Sequence, residues 1–239
     1  MSITREDLHG LILQRDSLDS DGFFLLAHII KLLLGLDGQH NVIIVATKHT
    51  MAHYGFVFRK LGLNVAALAG AGRVVLLDAL RPDKSQPQQL MNLRLLQSAI
   101  FDSCAKAAAS GAPVCVLFDD LATLSYQATE ASEWPAFLHS SVMGAGGLYS
   151  CCVAVVHGDI AEDERWSLRL EHRASTVLEI ESIRTGRSAE VGGKLRITRR
   201  KLPPIAGEES QEQLPAVELG VDEQYFALAP DGSARFYKR

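Results

Sequence analysis

The sequence predicts an α/β fold in which a mostly parallel β-sheet is flanked by helices and has antiparallel strands at its C-terminal edge. Apolar runs of strand length alternate with helical segments over most of the chain. The run at 113–118 is apolar throughout, which is typical of a strand buried on both faces of a parallel sheet. Residues 194–201 instead alternate apolar and polar side chains, which predicts an antiparallel strand with one solvated face.

The composition indicates one globular domain spanning residues 1–239. The chain is 47% hydrophobic and 22% charged, which is typical of a globular domain. Its net charge of −4 argues against nucleic-acid binding over the whole surface, but it is compatible with a local basic patch. No secretory signal pattern opens the sequence, and the most apolar stretch, 23–36, is too short to span a membrane. The spacing of the four cysteines favours reduced thiols, and hence the cytoplasm, with the nucleus as a second possibility.

The elements follow from apolar runs and their boundaries. The first is a strand at 8–14, which leads through a polar loop at 15–22 into an apolar helix at 23–34. A buried strand at 41–47 comes next, because its apolar run has strand length and is rich in branched residues. A helix is predicted at 50–61, where the pattern stops at a glycine.

The middle of the chain continues this alternation. A short apolar strand at 73–78 precedes a polar, proline-bearing loop at 82–89, and a long helix follows at 90–109. The apolar strand at 113–118 comes next, with glycine and proline at its start and two aspartates at its end. A helix at 134–142 completes this part.

A strand at 148–156, a helix at 162–172 and a strand at 175–180 complete the alternating pattern.

The last part of the chain has a different character. After the antiparallel strand at 194–201, residues 202–222 are acidic and proline-bearing without lysine or arginine, which predicts a loop or insertion. Residues 223–239 predict a closing hairpin around Pro230-Asp-Gly232. This order of elements outlines a RecA-like domain.

The loop at 15–22 stands where such a domain would hold a triphosphate. A phosphate-binding (Walker A) loop is glycine-rich and ends in Lys-Ser or Lys-Thr, so that backbone N–H groups and the lysine face the phosphates. Here one glycine and no lysine are present, and Asp16, Asp19 and Asp21 outnumber Arg15. Repulsion at contact distance would cost roughly a few kcal/mol even at an effective dielectric constant of about 20. The loop therefore predicts that no nucleotide binds in the usual way.

Asp119 and Asp120, at the end of the strand at 113–118, permit two interpretations. They could organise magnesium, as a degenerate Walker B pair in a nucleotide hydrolase. They could instead cap the turn at 122–125. Without a lysine-bearing loop the sequence favours capping, unless a neighbouring subunit supplies the missing groups.

Other motifs are incomplete. His49 and His53 have zinc-helix spacing, but Thr50 stands where the catalytic glutamate belongs. His157 follows an apolar run, but no Gly-x-Ser-x-Gly elbow accompanies it, so we interpret it as a loop residue. The sequence predicts no catalytic residue, cofactor or metal site, and we expect the chain not to be an enzyme.

A basic stretch lies within residues 184–201. It holds seven basic residues and one acidic residue, Glu190, in a chain of net negative charge. It is either a solvated edge strand protected from aggregation by its charge or a surface that binds RNA phosphates. The candidate RNA-binding residues are Arg184, Arg187, Lys194, Arg196, Arg199, Arg200 and Lys201.

Four segments in colinear order carry a resemblance to a known family. They are His-Tyr-Gly-Phe-Val-Phe-Arg-Lys-Leu-Gly at 53–62, Val-Leu-Phe-Asp-Asp-Leu-Ala-Thr-Leu at 116–124, Val-Val-His-Gly-Asp-Ile-Ala-Glu-Asp at 155–163 and Gly-Lys-Leu-Arg-Ile at 193–197. With the C-terminal hairpin, they make the chain resemble the sixth subunit of the Elongator complex over nearly its whole length.

The resemblance implies a RecA-like, non-catalytic subunit without a lysine-bearing loop. It implies assembly with the paralogous fourth and fifth subunits into a heterohexameric ring that binds tRNA. That ring serves the catalytic Elongator subcomplex, which modifies the wobble uridine, and no membrane is involved. The ring is associated with ATP hydrolysis, but no residue of this chain is assigned to that site. The alternative is a nucleotide-binding or hydrolysing α/β enzyme with a non-standard phosphate site built on Asp119 and Asp120.

Overall fold

The fold is organised around one mixed β-sheet. A computed structural model describes residues 3–35, 39–79, 92–144, 147–183, 191–200, 219–229 and 234–237. In these ranges nine strands form a single sheet with the order β3-β2-β4-β5-β1-β6-β7-β8-β9. The strands are β1 (Gly10–Asp16), β2 (Asn41–Ala46), β3 (Val74–Asp78), β4 (Val114–Phe118), β5 (Cys151–His157), β6 (Thr176–Glu181), β7 (Gly193–Arg200), β8 (Leu219–Leu228) and β9 (Ala234–Tyr237).

The sheet changes direction once. All pairings among β1 to β6 are parallel, while the pairings of β6 with β7, β7 with β8 and β8 with β9 are antiparallel. The predicted α/β fold with a parallel body and antiparallel C-terminal strands is therefore confirmed.

Seven helices lie against the sheet in the described ranges. They are α1 (Phe23–Leu34), α2 (Met51–Lys60), α3 (Val65–Gly70), α4 (Leu93–Ala108), α5 (Ala122–Ser125), α6 (Glu133–Phe137) and α7 (Glu164–Arg173), and α6 continues as a π-helical turn, Leu138–Val142. Side chains of Thr50 and Asn92 accept hydrogen bonds from backbone N–H groups in the first turns of α2 and α4. These N-caps explain why both helices begin close to their predicted starts.

Each face of the sheet has its own apolar core. The core on one face is formed mainly by α1 and α2, and the other mainly by α4, α6 and α7. Along β1, Ile12 joins the first core while Leu11 and Leu13 join the second. The parallel strands need apolar side chains on both faces, which explains their uninterrupted apolar runs.

Two predictions about the C-terminal part need correction. The acidic loop predicted over 202–222 is wrong at its end, because residues 219–222 form the start of β8 and pair with residues 197–200 of β7. Residues 202–218 lie outside the described ranges. The interpretation of 194–201 as an edge strand is also wrong, since β7 lies between β6 and β8. The predicted closing hairpin corresponds to β8 and β9, although its turn at 230–233 is not described.

One further element was missing from the predictions. The short helix α3 was not predicted, because its Val-Ala-Ala-Leu-Ala-Gly sequence is too short to show an amphipathic period.

Opposite charges hold β7 in place. Arg199 donates to both carboxylate oxygens of the buried Asp7 near the N-terminus, with 3.1 Å between Nη2 and Oδ2, and donates to Asp222 on β8 at 2.8 Å. Burial disfavours the charged form of Asp7, but hydrogen bonds from Arg199 and Thr4 outweigh it and lower the pKa of this carboxyl. Acidic β8 residues thus pair with basic β7 residues, which is why an acidic segment forms a strand here.

No helix in the described ranges has the length and apolar character needed to cross a membrane.

We expect Arg199→Ala to lower the free energy of unfolding by about 2–3 kcal/mol, because it leaves the Asp7 carboxylate buried without its main partner. Arg196→Ala on the same strand is the matched control. Arg196 and its partner Glu223 are 39% and 46% exposed, so its loss should cost about 0–1 kcal/mol. Urea unfolding of both variants checks this, and equal losses would contradict the role given to Asp7.

Candidate functional site

Polar side chains meet at the carboxyl ends of three neighbouring strands. The sheet order places β4 beside β5 and β5 beside β1, so the ends of these strands lie next to one another. Asp16 ends β1, His157 ends β5, and Asp119 and Asp120 directly follow β4. This edge is where ligands usually bind in open α/β sheets.

The first crossover loop is closed by the buried side chain of Asp16. Its Oδ2 accepts the backbone N–H of Gly22, directly before α1, at 2.9 Å. Gln14 Nε2 donates to the carbonyl oxygen of Gly22 at 3.0 Å. A Cβ atom at residue 22 would lie 2.4 Å from Gln14 Nε2, so any other residue there would displace the buried Gln14 side chain. The carboxylate of Asp16 thus stands where a helix N-terminus could receive an external anion.

Two further carboxylates satisfy amides of the same loop. Asp21 accepts the N–H of Phe23 at 3.1 Å, and Asp159, after β5, accepts the N–H of Leu18 at 3.0 Å. A phosphate-binding loop directs such N–H groups at the phosphates. In this chain these N–H groups donate to carboxylates of the chain itself, which supports the prediction that the loop does not hold a nucleotide in the usual way.

His157 is the ionic partner of Asp16. Its Nδ1 lies 2.6 Å from Asp16 Oδ1, and its Nε2 lies 3.9 Å from Asp120 Oδ2. The hydrogen bond to Asp16 is the main reason that the pKa of His157 is raised, and together with the attraction of Asp16 and Asp120 it outweighs the opposing effect of burial. The interpretation of His157 as a loop residue was wrong. The pair joins residues 141 positions apart, so only the strand order could reveal it.

Asp119 holds the loop that follows β2. Its carboxylate accepts backbone N–H groups of Thr47, Lys48 and His49 at 2.6, 3.0 and 3.0 Å. The hydroxyls of Thr47 and Tyr54 add donors at 2.8 and 3.1 Å. Burial opposes its ionisation, but the contacts with His49 and Thr47 outweigh burial and lower the pKa of Asp119. A carboxylate has about four acceptor positions, so five donors leave it little capacity for a metal ion.

Asp120 has the capping role predicted for this pair. Its Oδ1 accepts the N–H of Ala122 at 2.9 Å, and its Oδ2 accepts the hydroxyl of Thr123 at 2.7 Å. The capping interpretation is therefore confirmed for Asp120. For Asp119 it is wrong in detail, because that side chain holds the loop after β2 and not the turn at 122–125.

His49 and His53 do not have the geometry of a zinc helix. His49 precedes α2, and the two rings stack with centroids 4.5 Å apart. Phe23 packs against His49 at a centroid distance of 4.3 Å. In the described residues no group of three or more His, Cys, Asp or Glu side chains could hold a metal ion.

The described members of the basic stretch are engaged in ion pairs. Lys194 lies 2.7 Å from Glu223, Arg196 lies 3.0 Å from the same carboxylate, and Arg200 lies 3.3 Å from Glu171. Arg199 pairs with Asp7 and Asp222, as described above. Arg184, Arg187 and Lys201 lie outside the described residues. That these seven residues bind RNA stays a prediction.

Comparison with known proteins indicates a family. The sequence profile of the family described as Elongation complex protein 6 matches residues 2–216. Elongator complex protein 6 of Xenopus laevis is 25% identical over 236 residues, which cover 90% of this chain and 88% of the relative. The Xenopus tropicalis protein of the same name is 29% identical over 203 residues, covering 75% of each chain.

Two solved structures from an archaeon have similar folds. A KaiC-like protein from Pyrococcus horikoshii OT3 has a TM-score of 0.57 at 13% identity, covering 96% of this chain and 91% of its own. An uncharacterized Pyrococcus horikoshii protein, solved with an unknown peptide, has a TM-score of 0.64 at 15% identity, covering 97% and 93%. At such low identity these likenesses show the fold alone, and they confirm the predicted RecA-like architecture.

We expect the His157–Asp16 pair to make stability fall as pH rises above 6.5. A raised pKa means that folding favours the protonated imidazole. This stabilisation is complete below the reference pKa of 6.5 and is lost as pH rises through the folded pKa. The slope is at most about 1.4 kcal/mol per pH unit. Urea unfolding between pH 6 and 8 should show that slope in the parent chain but not in His157→Gln.

The other histidines whose pKa values are shifted do not produce the expected loss of stability above pH 6.5. The pKa values of His28, His40 and His53 are lowered by burial, so their contributions change below pH 6.5. Parallel stability curves for the parent and His157→Gln above pH 6.5 would contradict the ionic pair.

Proposed function

This chain belongs to the Elongation complex protein 6 family, and from that premise we propose that it is a non-catalytic subunit of the Elongator complex that supports tRNA modification. The observation that carries the proposal is the match of the family profile to residues 2–216, nearly the whole chain. The family name concerns an assembly, so the chain should act by binding partners.

The crossover loop supports a role without catalysis by this subunit. The carboxylates of Asp16, Asp21 and Asp159 accept the N–H groups that a nucleotide-binding loop would offer to phosphates. A triphosphate would have to displace them and would then meet their negative charge. We propose that the chain is a pseudo-ATPase, with the RecA-like fold retained for assembly.

The proposed partners are paralogous RecA-like subunits, the fourth and fifth of the complex, in a heterohexameric ring, together with the catalytic subcomplex and tRNA. Exposed apolar side chains support binding of protein partners. Phe56 on α2 is 60% exposed and Leu228 on β8 is 50% exposed. Both line a groove of about 510 Å³ between α1, α2 and β8. Exposed apolar side chains that gather at a groove offer a contact surface for a protein partner.

We propose a cytoplasmic location, with the nucleus as the alternative. All four cysteines are free and buried, as expected in a reducing compartment. Imaging of a tagged chain distinguishes the two compartments.

The alternative function, nucleotide hydrolysis with Asp119 and Asp120, receives less support. Asp119 receives five hydrogen bonds from the chain itself, and Asp120 caps α5. If Asp119 bound magnesium, the loop after β2 would lose its hydrogen-bond acceptor. If Asp120 bound it, the first turn of α5 would lose its own acceptor.

We expect the full chain to co-purify with the paralogous subunits and to behave poorly, or form a wrong oligomer, when expressed alone. Phe56→Asp should reduce the recovered complex, because it places a charge beside the apolar groove. Leu95→Asp is the matched control, since Leu95 is 57% exposed on α4 at the opposite face of the sheet. Affinity purification followed by size-exclusion chromatography with light scattering measures both. A stable monomer that ignores the paralogues would contradict the proposal.

A further inference from the structure

The outer face of α7 carries a stripe of exposed arginines. Arg165, Arg169 and Arg173 follow one another at intervals of four residues, and all three are exposed. At 3.6 residues per turn, they and the exposed His172 fall within an arc of about 100°, and successive arginines are about 6 Å apart along the axis. We call these three residues the α7 arginine stripe.

The stripe is not neutralised by the described part of the chain. Ion pairs there that involve α7 use Glu171, which lies on another side of the helix. Glu171 is held by Arg15 at 2.7 Å and by Arg200 at 3.3 Å. Glu171 is therefore already matched by two other cations. Glu164, which adjoins Arg165 in sequence, forms no ion pair with the stripe among the described residues, so three arginines on α7 face one exposed carboxylate that is not paired with them.

The contrast with β7 decides which surface is better suited to phosphate. Lys194, Arg196, Arg199 and Arg200 hold acidic side chains of this chain, so a phosphate that approached them would compete with existing partners. Arginines of the stripe have no such partner among the described residues and can offer their guanidinium groups directly. A guanidinium group binds phosphate oxygens in a bidentate manner without prior rearrangement.

We propose that the α7 arginine stripe is a binding surface for the phosphate backbone of RNA. The proposal rests on the proposed function, in which the partner is tRNA. The 6 Å steps suit a nucleic-acid strand, whose phosphates recur about every 3.4 Å along a duplex axis, so that each arginine can meet roughly every second phosphate.

The chemistry of this face favours RNA over an acidic protein. Protein interfaces have an apolar centre surrounded by polar residues. On the exposed part of α7, Leu168 is the large apolar side chain with substantial exposure, at 42%. A linear array of cations with little apolar surface is the electrostatic footprint of a phosphate backbone.

The test measures binding of fluorescently labelled tRNA to the complex of the full chain with its paralogues, by anisotropy at several salt concentrations. The stripe variant carries Arg165→Gln, Arg169→Gln and Arg173→Gln. A control of equal charge change carries Lys31→Gln, Arg94→Gln and Lys106→Gln, which replace exposed cations on other helices. A third variant, Lys194→Gln with Arg196→Gln, tests the basic strand β7.

We expect the stripe variant to bind at least about tenfold more weakly and to reduce the slope of log affinity against log salt by about 2, since each lost phosphate contact removes about 0.7–0.9. The control of equal charge change should alter affinity less than about threefold and leave the slope as it was, and the β7 variant should weaken binding less than the stripe variant does. Unrelated RNAs should be affected equally, because phosphate contacts carry no sequence information. Unchanged thermal melting shows that the replaced side chains are not structural.

An unchanged slope in the stripe variant would overturn the inference while leaving the proposed function intact. If only the β7 variant lost tRNA affinity, the inference about the stripe would also be overturned, and the RNA would be assigned to β7. Loss of a protein partner without loss of tRNA binding would identify an acidic protein as the occupant. If the parent complex binds no tRNA, the proposed role in tRNA binding fails and the inference fails with it.

Discussion

The hydrogen bond between the Asp16 carboxylate and the Gly22 N–H determines what this edge of the sheet can do. In an α/β sheet of this topology, the turn from the first strand into the first helix is a ready site for an anion. This chain supplies the anion itself, since Asp16 reaches the turn from the last position of β1. His157 Nδ1 lies 2.6 Å from this buried carboxylate, and the contact raises the pKa of His157, so the pair favours a protonated imidazole. The Asp16–His157 pair therefore occupies the turn between β1 and α1, a position where open α/β sheets usually bind ligands.

Internal pairing of charge recurs across the molecule. Asp119 fastens the loop after β2, Arg199 joins β7 to the N-terminal Asp7, and Glu171 is shared by Arg15 and Arg200. Each of these groups could be mistaken for a binding residue when only its type and position in sequence are known. In the part of the chain that the structure describes, charges that hold the fold can be told apart from charges without an ion pair, and the arginines of the α7 stripe belong to the second group.

Local patterns were sufficient to predict most of the parallel sheet, because apolar runs bounded by glycine, proline or charged residues leave few alternatives for β2, β4 and β5. The acidic character of the first crossover loop was also visible in sequence. The pairing of Asp16 with His157 was not, because it depends on β5 lying beside β1. The start of β8 was missed for a related reason, since its acidic residues suit a loop unless a basic strand lies opposite. The charges of α7 are nearly balanced in sequence, and only the structure shows that Glu171 pairs with Arg15 and Arg200 while the stripe has no ion pair within the described ranges.

The backbone N–H groups of Leu18, Gly22 and Phe23, in the crossover loop and at the start of α1, are occupied by this chain's own carboxylates. The most direct test follows the backbone amide resonances of Leu18, Gly22 and Phe23 in the isotopically labelled full chain while magnesium and ATP are added. We expect these resonances to stay in place up to millimolar nucleotide. A saturable shift centred on Gly22 and Phe23 would show that a phosphate displaces Asp16, and would contradict this expectation.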